Sequence, residues 1–336
     1  MEDTLNHEKI LIKGTLDPEK TLLDMIEYMK SPEPFFYGRI GGGETLLAKH
    51  YSEIKKTSNN RQEIIDILKN NPLMQLRMNN MRKYGGYYDV SDNIDNIFNF
   101  CEYYSSLYKN YDAATLAGPD VAAHYLTNIN NPAFDDPREK EKYDDFIKNY
   151  FKKDIPLYTY SVIESCTWFL RGFKIFAEGK KILVVGPFSK SIQHQRPNLN
   201  KIFPDYEYPN FELITYNTPI TYNDNGKPYI GFPHNSWFET LDAMCRDITK
   251  LDFDIALLGC STYALPIGSF IKNMGKKAIY MGGIVQVCFG VMGARWIEEP
   301  FYLQNPDAFI FPLETNEATI NGKQHHYAKE GFNGYF

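Results

Sequence analysis

The strongest constraint on the fold is a regular alternation of short apolar segments with longer amphipathic ones between residues 161 and 281. The short segments are apolar almost throughout, which is typical of strands buried on both faces of a sheet; they cover residues 181–186, 212–216, 254–259 and 277–281. Helical spacing of apolar residues fills the intervals 161–178, 189–201, 236–251 and 263–274. The alternation predicts an α/β, Rossmann-like fold, a parallel sheet with right-handed crossovers and helices on both faces.

The N-terminal half carries the same kinds of segment in a less regular order. Helices are predicted over residues 18–30, 44–55, 61–69 and 92–109, with strands over residues 35–39 and 113–117. Residues 128–153 are rich in Asn, Asp, Lys and Pro and are interpreted as a surface excursion, with a lid as the alternative. We expect a helical segment (1–34) that packs on a single α/β domain (35–300), followed by an irregular tail (301–336) that wraps this domain.

Composition excludes several classes of protein. A net charge of −6 argues against a nucleic-acid-binding protein, because neutralising phosphates takes a local excess of Lys and Arg. The five cysteines are scattered without a C-x-x-C pair, so neither a zinc cage nor a disulfide framework is expected. No apolar stretch reaches transmembrane length and no signal core is present, which predicts a soluble cytoplasmic protein. The adjacent His325 and His326 are interpreted as surface residues, since neighbouring side chains on an extended segment point apart.

An anion site is predicted where a short apolar run ends in the sequence RIGGGE. Gly41, Gly42 and Gly43 lack a Cβ, so a ligand can approach the backbone, and the following helix presents unpaired N–H groups. Arg39 can grip two phosphate or carboxylate oxygens at once. A carboxylate at Glu44 would repel bound phosphate unless a divalent cation bridges the two or Glu44 takes a hydroxyl proton from a sugar.

Other predicted strands end in small or hydroxylated residues at the same edge of the sheet. A nucleotide's phosphates would find backbone N–H groups, hydroxyls and a lysine there; simple helix capping explains any single turn as well. The candidate binding residues at these ends are Ser189, Lys190, Ser191, Ser261, Tyr263, Gly282 and Gly283. Arg295, which follows a glycine-rich stretch, could add a cation to this site, while its neighbour Trp296 is expected to anchor the final segment.

Two further motifs bear on catalysis. No strand is followed by a P-loop or by a G-x-G-x-x-G fingerprint, so ATPase and dinucleotide dehydrogenase activities are not expected. Cys260, at the end of a predicted strand, could be a nucleophile with His234 or His124 as its base; a small buried residue is the alternative. His234 is itself a candidate catalytic base, although helix capping by Asn235 or Ser236 already explains the polarity of its loop.

The pattern Arg39-x-Gly41-x-x-Glu44 after a strand resembles the signature of the GT-D-fold glycosyltransferases, whose members carry Arg-Phe-Gly-Asp-Gly-Glu there. Later blocks are similar to a bacterial and viral branch found among surface-polysaccharide genes. The resemblance spans residues 35–336 and includes residues 182–188 with Ser191, Ile192 and Gln195, residues 252–260, residues 275–279, Gly282-Gly283, Gln286, Phe289-Gly290 and Arg295-Trp296.

The resemblance implies a cytoplasmic enzyme, in the host cytoplasm if viral, that transfers a sugar from a nucleotide-sugar, usually uridine-linked, to a glycan or other hydroxyl acceptor. It also implies Mn²⁺ or Mg²⁺ at the signature's carboxylates. Gly42 stands where the family has the first of them, so Glu44 would give one metal ligand, bind the donor sugar directly or act as the acceptor's base. A homo-oligomer is possible. The alternatives are a nucleotide-sugar-binding protein without catalysis and a cysteine hydrolase centred on Cys260.

Overall fold

The computed structural model describes residues 14–15, 17–40, 42–116, 149–151, 155–221, 234–316, 319–320 and 323–324. Within these ranges, eight strands form one sheet in the order β1-β4-β3-β2-β8-β7-β5-β6, and every pairing in it is parallel. A short antiparallel pair, β9 and β10, lies apart from this sheet. The bounds are β1 Gly14–Thr15, β2 Phe35–Ile40, β3 Ala113–Leu116, β4 Leu157–Thr159, β5 Lys181–Gly186, β6 Glu212–Asn217, β7 Ile255–Leu258, β8 Lys277–Tyr280, β9 Thr319–Ile320 and β10 Lys323–Gln324.

Helices connect and cover these strands. The α-helices are α1 Pro18–Lys30, α2 Gly42–Thr57, α3 Arg61–Asn70, α4 Pro72–Asn80, α5 Ile94–Ser106, α6 Ser161–Glu164, α7 Cys166–Phe176, α8 Ser189–Gln195, α9 Leu199–Ile202, α10 Trp237–Ile248, α11 Ala264–Asn273, α12 Ile284–Cys288 and α13 Pro300–Gln304. A π-helical turn covers Met81–Gly85, and 3₁₀ turns cover Tyr108–Asn110, Arg196–Asn198, Ser261–Tyr263, Ala294–Trp296, Pro306–Ala308 and Leu313–Asn316. The predicted α/β fold with a parallel sheet is therefore confirmed.

The core lies on both faces of the sheet, as the apolar strands predict. Successive residues of a strand point to opposite faces. In β2, Phe36 belongs to a cluster on one face together with Trp237, while Tyr37 belongs to a cluster on the other face together with Phe173. Burial on both sides explains why the strands lack the alternation of polar and apolar residues that a half-exposed sheet would show.

The first helix is fastened to the centre of the sheet. Asp17 caps α1 by accepting hydrogen bonds from the N–H groups of its first turn. At the other end, Lys277 of β8 donates from Nζ to the carbonyl oxygen of Met29 at 2.9 Å and also to that of Ser31. Burial lowers the pKa of Lys277, and these carbonyl groups satisfy its donors. The lysine thereby completes the C-terminus of α1 from a neighbouring strand.

Several local elements differ from the sequence-based expectation. The predicted helix over residues 161–178 is two helices, because Ser165 between them has an extended backbone. The predicted helix over residues 189–201 is interrupted at Arg196–Asn198, where Pro197 lacks the N–H that an α-helix needs. Helix α4, the π-helical turn and β4 were not predicted. Most of the surface excursion predicted at residues 128–153 lies outside the described residues.

Strands from the two halves of the chain meet at the centre of the sheet. The pair β2–β8 joins the N-terminal strands β4-β3-β2 to the C-terminal strands β8-β7-β5-β6, with Phe36 opposite Ala278. In open parallel sheets, ligands bind in the crevice beyond the carboxyl ends of strands whose connections diverge. A ligand site is therefore expected at the carboxyl ends of β2 and β8.

Candidate functional site

A cleft of about 280 Å³ opens at the carboxyl ends of β2, β7 and β8. Its volume lies just below the usual range for small-molecule sites, about 300–1,000 Å³. The lining mixes cationic, acidic, apolar and glycine residues from six segments of the chain: Arg39, Gly43, Glu44, Met81, Tyr84, Gly85, Pro187, Phe188, Gly259, Ser261, Tyr280, Gly282, Gly283, Gln286 and Arg295. Several residues predicted for the site meet here: Arg39, Gly43 and Glu44 of the RIGGGE segment, with Ser261, Gly282, Gly283 and Arg295.

Arg39 is held by a carboxylate that the sequence analysis did not identify. Its Nε donates to Glu164 Oε1 at 2.5 Å, and about 20% and 19% of the two side chains remain exposed. Burial opposes the charge of Arg39, but Glu164 and, secondarily, Glu44 raise its pKa, so the guanidinium stays cationic. Because Glu164 accepts its hydrogen bond from Nε, the two Nη groups of Arg39 can bind a ligand in the cleft.

The guanidinium of Arg39 also lies against Gly282. A Cβ at this position would sit 3.4 Å from Arg39 Nη1, and the backbone of Gly282 has a φ of +71°, which favours glycine. The turn after β8 therefore combines a conformation suited to glycine with close packing under the arginine. Arg295 supplies a second cation to the cleft, and its Cζ lies 5.2 Å from the ring centre of Trp296.

Glu44 lies in the first turn of α2, where the helix dipole favours a negative charge. The single Oη–H of Tyr280 is shared between two acceptors, Glu44 Oε1 at 3.4 Å and the carbonyl oxygen of Ser261 at 3.2 Å. Burial, with the charge of Glu44, raises the pKa of Tyr280 well above its ordinary value, so this tyrosine remains a proton donor. Burial and the same carboxylate also raise the pKa values of Tyr104 and Tyr108. Glu44 is thus an acidic group set among neutral hydroxyls.

The opposite wall is a tight contact between the π-helical turn and the turn after β7. Ser261 Oγ donates to the carbonyl oxygen of Gly85 at 3.0 Å, and Thr262 Oγ1 donates to the same oxygen at 2.6 Å. Ser261 has a φ of +56°, which is strained for a residue with a side chain. Strained backbone and π-helical turns both concentrate at functional sites, which marks this wall as part of the site.

Several predicted binding residues lie elsewhere. The backbone N–H of Ser191 donates to Glu314 Oε1 at 3.1 Å, and its hydroxyl donates to the other carboxylate oxygen. The anion position at the start of α8 is therefore occupied by the chain's own Glu314. Tyr263 is buried and stacks on Trp237 at 5.2 Å between ring centres. Of the described residues, the remaining predicted ones outside the cleft lining are Ser189, Lys190, His234 and Gly42, the last of which begins α2; Gly41, His124, His325 and His326 lie outside the described residues.

Sequence reasoning missed Glu164, Tyr280 and Tyr84. Tyr280 is the second-last residue of a predicted strand, one residue before the Gly282-Gly283 pair, and that position could have indicated it. Glu164 lies 125 positions from Arg39, so no local pattern joins the two residues. Tyr84 follows Met81 on a turn whose π-helical geometry has no distinctive spacing of apolar residues.

Cys260 does not have the environment of a nucleophile. It is buried, and burial raises the pKa of its thiol, whereas a reactive cysteine needs a lowered pKa and access to solvent. At pH 8 we therefore expect iodoacetamide to leave Cys260 unmodified in the folded protein and to alkylate it after unfolding in urea, as measured by peptide mass spectrometry. Rapid alkylation in the folded state would restore the cysteine hydrolase as a candidate.

The metal ion implied by the family resemblance needs several oxygen ligands. Among the residues that the structure describes, no three His, Cys, Asp or Glu side chains come together in a way that could hold a metal ion. Near Glu44, the carboxylate of Glu164 is already bound to Arg39. The described side chains thus do not fit a metal centre by themselves, and dependence on Mn²⁺ or Mg²⁺ stays a prediction.

Comparisons with known proteins add little to the site. No protein-family model and no curated protein matches the sequence. A solved structure described as a selenomethionine-substituted domain of unknown function 1792 is 15% identical, with a TM-score of 0.44, over 85% of this chain and 82% of that one. Another, described as a new glycosyltransferase (DUF1792) from Streptococcus sanguinis, is 12% identical, with a TM-score of 0.41, over 81% of this chain and 82% of that one. At these identities and TM-scores, neither likeness assigns an activity to this chain.

None of the described helices is both long enough and apolar enough to cross a membrane.

Proposed function

We propose that this chain is a glycosyltransferase that moves a sugar from a nucleotide-sugar, with a uridine diphosphate carrier, to a hydroxyl group of a glycan acceptor. The observation that supports this best is that two arginines, Arg39 and Arg295, and one carboxylate, Glu44, line a single cleft at the carboxyl edge of a parallel sheet. A diphosphate needs cations, while a sugar hydroxyl needs a base.

The residues divide the reaction between them. Arg39 and Arg295 bind the diphosphate and neutralise the charge that it gains on leaving. Glu44 takes the proton of the acceptor hydroxyl while the oxygen of that hydroxyl bonds to the anomeric carbon of the donor sugar. The bond from that carbon to the diphosphate oxygen breaks, and its electron pair stays on the diphosphate. Tyr280, a neutral donor beside Glu44, orients the carboxylate.

A binding protein without catalysis is the second candidate. Gly42 stands where the resembling family has a carboxylate, and such a loss is what a protein that kept donor binding alone would show. This candidate predicts that nucleotide-sugars bind and that no sugar is transferred to any acceptor, with or without Mn²⁺.

Thermal unfolding with nucleotides tests the proposal. Uridine diphosphate at about 100 times its dissociation constant should stabilise the fold by about 2.7 kcal/mol and raise Tm by a few degrees. Parallel samples with Mn²⁺ and with EDTA test the metal. Arg39→Ala should abolish the shift, whereas Arg171→Ala, which removes an exposed arginine paired with Glu19, should keep it. Unchanged Tm with both uridine and guanosine diphosphate would contradict the proposal.

A further inference from the structure

An exposed aromatic ring stands at the rim of the cleft. Of the large hydrophobic side chains in the described part of the chain, Tyr84, Tyr103 and Phe311 are the exposed aromatic ones, and only Tyr84 lines the cleft. About 47% of Tyr84 is exposed. The tyrosines near Glu44, by contrast, are buried: Tyr104, Tyr108 and Tyr280. The exposure of Tyr84 leaves its ring available to a ligand.

The backbone that carries this ring is firmly held. Ser261 Oγ donates to the carbonyl oxygen of Tyr84 at 3.3 Å as well as to that of Gly85, and Thr262 Oγ1 also binds Gly85. Thr262 is in turn fixed by a 3.0 Å hydrogen bond from Trp237 Nε1, a fully buried side chain. A ring on a fixed backbone loses little conformational freedom when a ligand binds, which favours affinity.

Close packing requires glycine next to Tyr84. A Cβ at Gly85 would lie 2.7 Å from Thr262 Cγ2, so any larger residue would push the two turns apart. The strained backbone of Ser261 belongs to the same contact. The strained backbone of Ser261 and the glycine at position 85 thus both help to hold the ring of Tyr84 beside the cleft.

The surroundings of the ring suit a flat, uncharged group. Lys83 Nζ lies 5.6 Å from the ring centre of Tyr84, so a ligand would stack on the opposite face. Met81 and Phe188 add apolar lining, whereas Arg39 and Arg295 are the cations of the cleft. A nucleotide has this division of properties: its base is flat and uncharged, and its phosphates are anionic.

We infer that Tyr84 is the platform on which the nucleobase of the donor stacks, with the diphosphate directed toward Arg39 and Arg295. The inference rests on the proposed function and adds an orientation of the donor in the cleft. Removing an aromatic ring on which a base stacks weakens binding by about 5-fold to 150-fold.

Calorimetric titration of the full chain with uridine diphosphate and with inorganic pyrophosphate tests this orientation. Tyr84→Ala should weaken the binding of uridine diphosphate by that factor and leave the binding of pyrophosphate unchanged. Tyr84→Phe should bind both ligands as the wild type does. Arg39→Ala should weaken both ligands. Phe311→Ala, a change of another exposed aromatic residue (49% exposed), should alter neither.

Three results would overturn the inference. The first is that Tyr84→Ala binds uridine diphosphate as tightly as the wild type does. The second is that Tyr84→Ala weakens the binding of pyrophosphate as much as that of uridine diphosphate, which would indicate a structural role. A loss confined to uridine diphosphate glucose, with uridine diphosphate unaffected, would place the sugar on the ring. Failure of the wild type to bind any nucleoside diphosphate is a separate result, because it contradicts the proposed function itself.

Discussion

Glu44→Gln is expected to abolish sugar transfer while leaving the fold and donor binding close to those of the wild type. Glutamine has the size of glutamate and can still accept the hydrogen bond from Tyr280, but it cannot take a proton from the acceptor. Loss of a general base lowers the rate by about 10² to 10⁴-fold. Glu164 remains to pair with Arg39, so the diphosphate site should persist.

Two measurements separate this effect from misfolding. Transfer is followed by release of uridine diphosphate with an acceptor present, and donor binding is followed by the Tm shift. Glu207→Gln, which changes an exposed glutamate paired with Lys174, is the matched control and should keep full activity. Wild-type turnover by Glu44→Gln would remove Glu44 from the reaction and leave its carboxylate a role in binding alone.

Gly38→Ala, which adds one methyl group in the middle of β2, should destabilise the fold strongly. A Cβ at Gly38 would lie 2.2 Å from Tyr111 Cδ1, far inside van der Waals contact. Tyr111 is fully buried, packs on Phe36 at 4.8 Å between ring centres, and donates from Oη to the carbonyl oxygen of Arg39 at 3.1 Å. Since the ring cannot move without losing these contacts, we expect a loss of about 1–3 kcal/mol or more.

Urea denaturation of the wild type and the variant measures this loss as a fall in the midpoint at constant slope. Gly186→Ala is the matched control, because it adds the same methyl group to another strand residue whose nearest atom, Gly259 O, is 3.4 Å away. The control should lose less than about 1 kcal/mol. Equal midpoints for the two variants would show that Tyr111 can make room. If Gly38→Ala folds, weaker donor binding would show that Tyr111 also holds Arg39 in place.

The C-terminal half of the sheet was predictable from the sequence because its central strands β5, β7 and β8 are buried on both faces. Residues 181–186 and 277–280 carry a continuous apolar signal, and their order along the chain with intervening helices leaves a parallel sheet as the simple solution. Strand β4 was missed because Leu157–Thr159 is only three residues long. The position of β2 beside β8 was not predictable, since periodicity carries no information on which strands pair.

The candidate site was predictable where one local segment carries it. The glycine run between Arg39 and Glu44 indicated a ligand site by itself, and both side chains do line the cleft. Ser191 was misleading because a strand end followed by hydroxyl residues is typical of both anion binding and helix capping, and here Glu314 uses its donors. Glu164 could not be found, since its ion pair with Arg39 depends on tertiary structure alone.

The central position of β2 has a consequence for biosynthesis. Glu44 and Tyr280 are 236 positions apart, so a growing chain completes β2 long before its partner β8 leaves the ribosome. Until then β2 can pair with β3 on one side only, and its other edge, with Phe36 and Tyr37 beside it, is open to other chains. Contacts of such long sequence separation form slowly. The central edge of the sheet is therefore where a nascent chain most needs protection from aggregation.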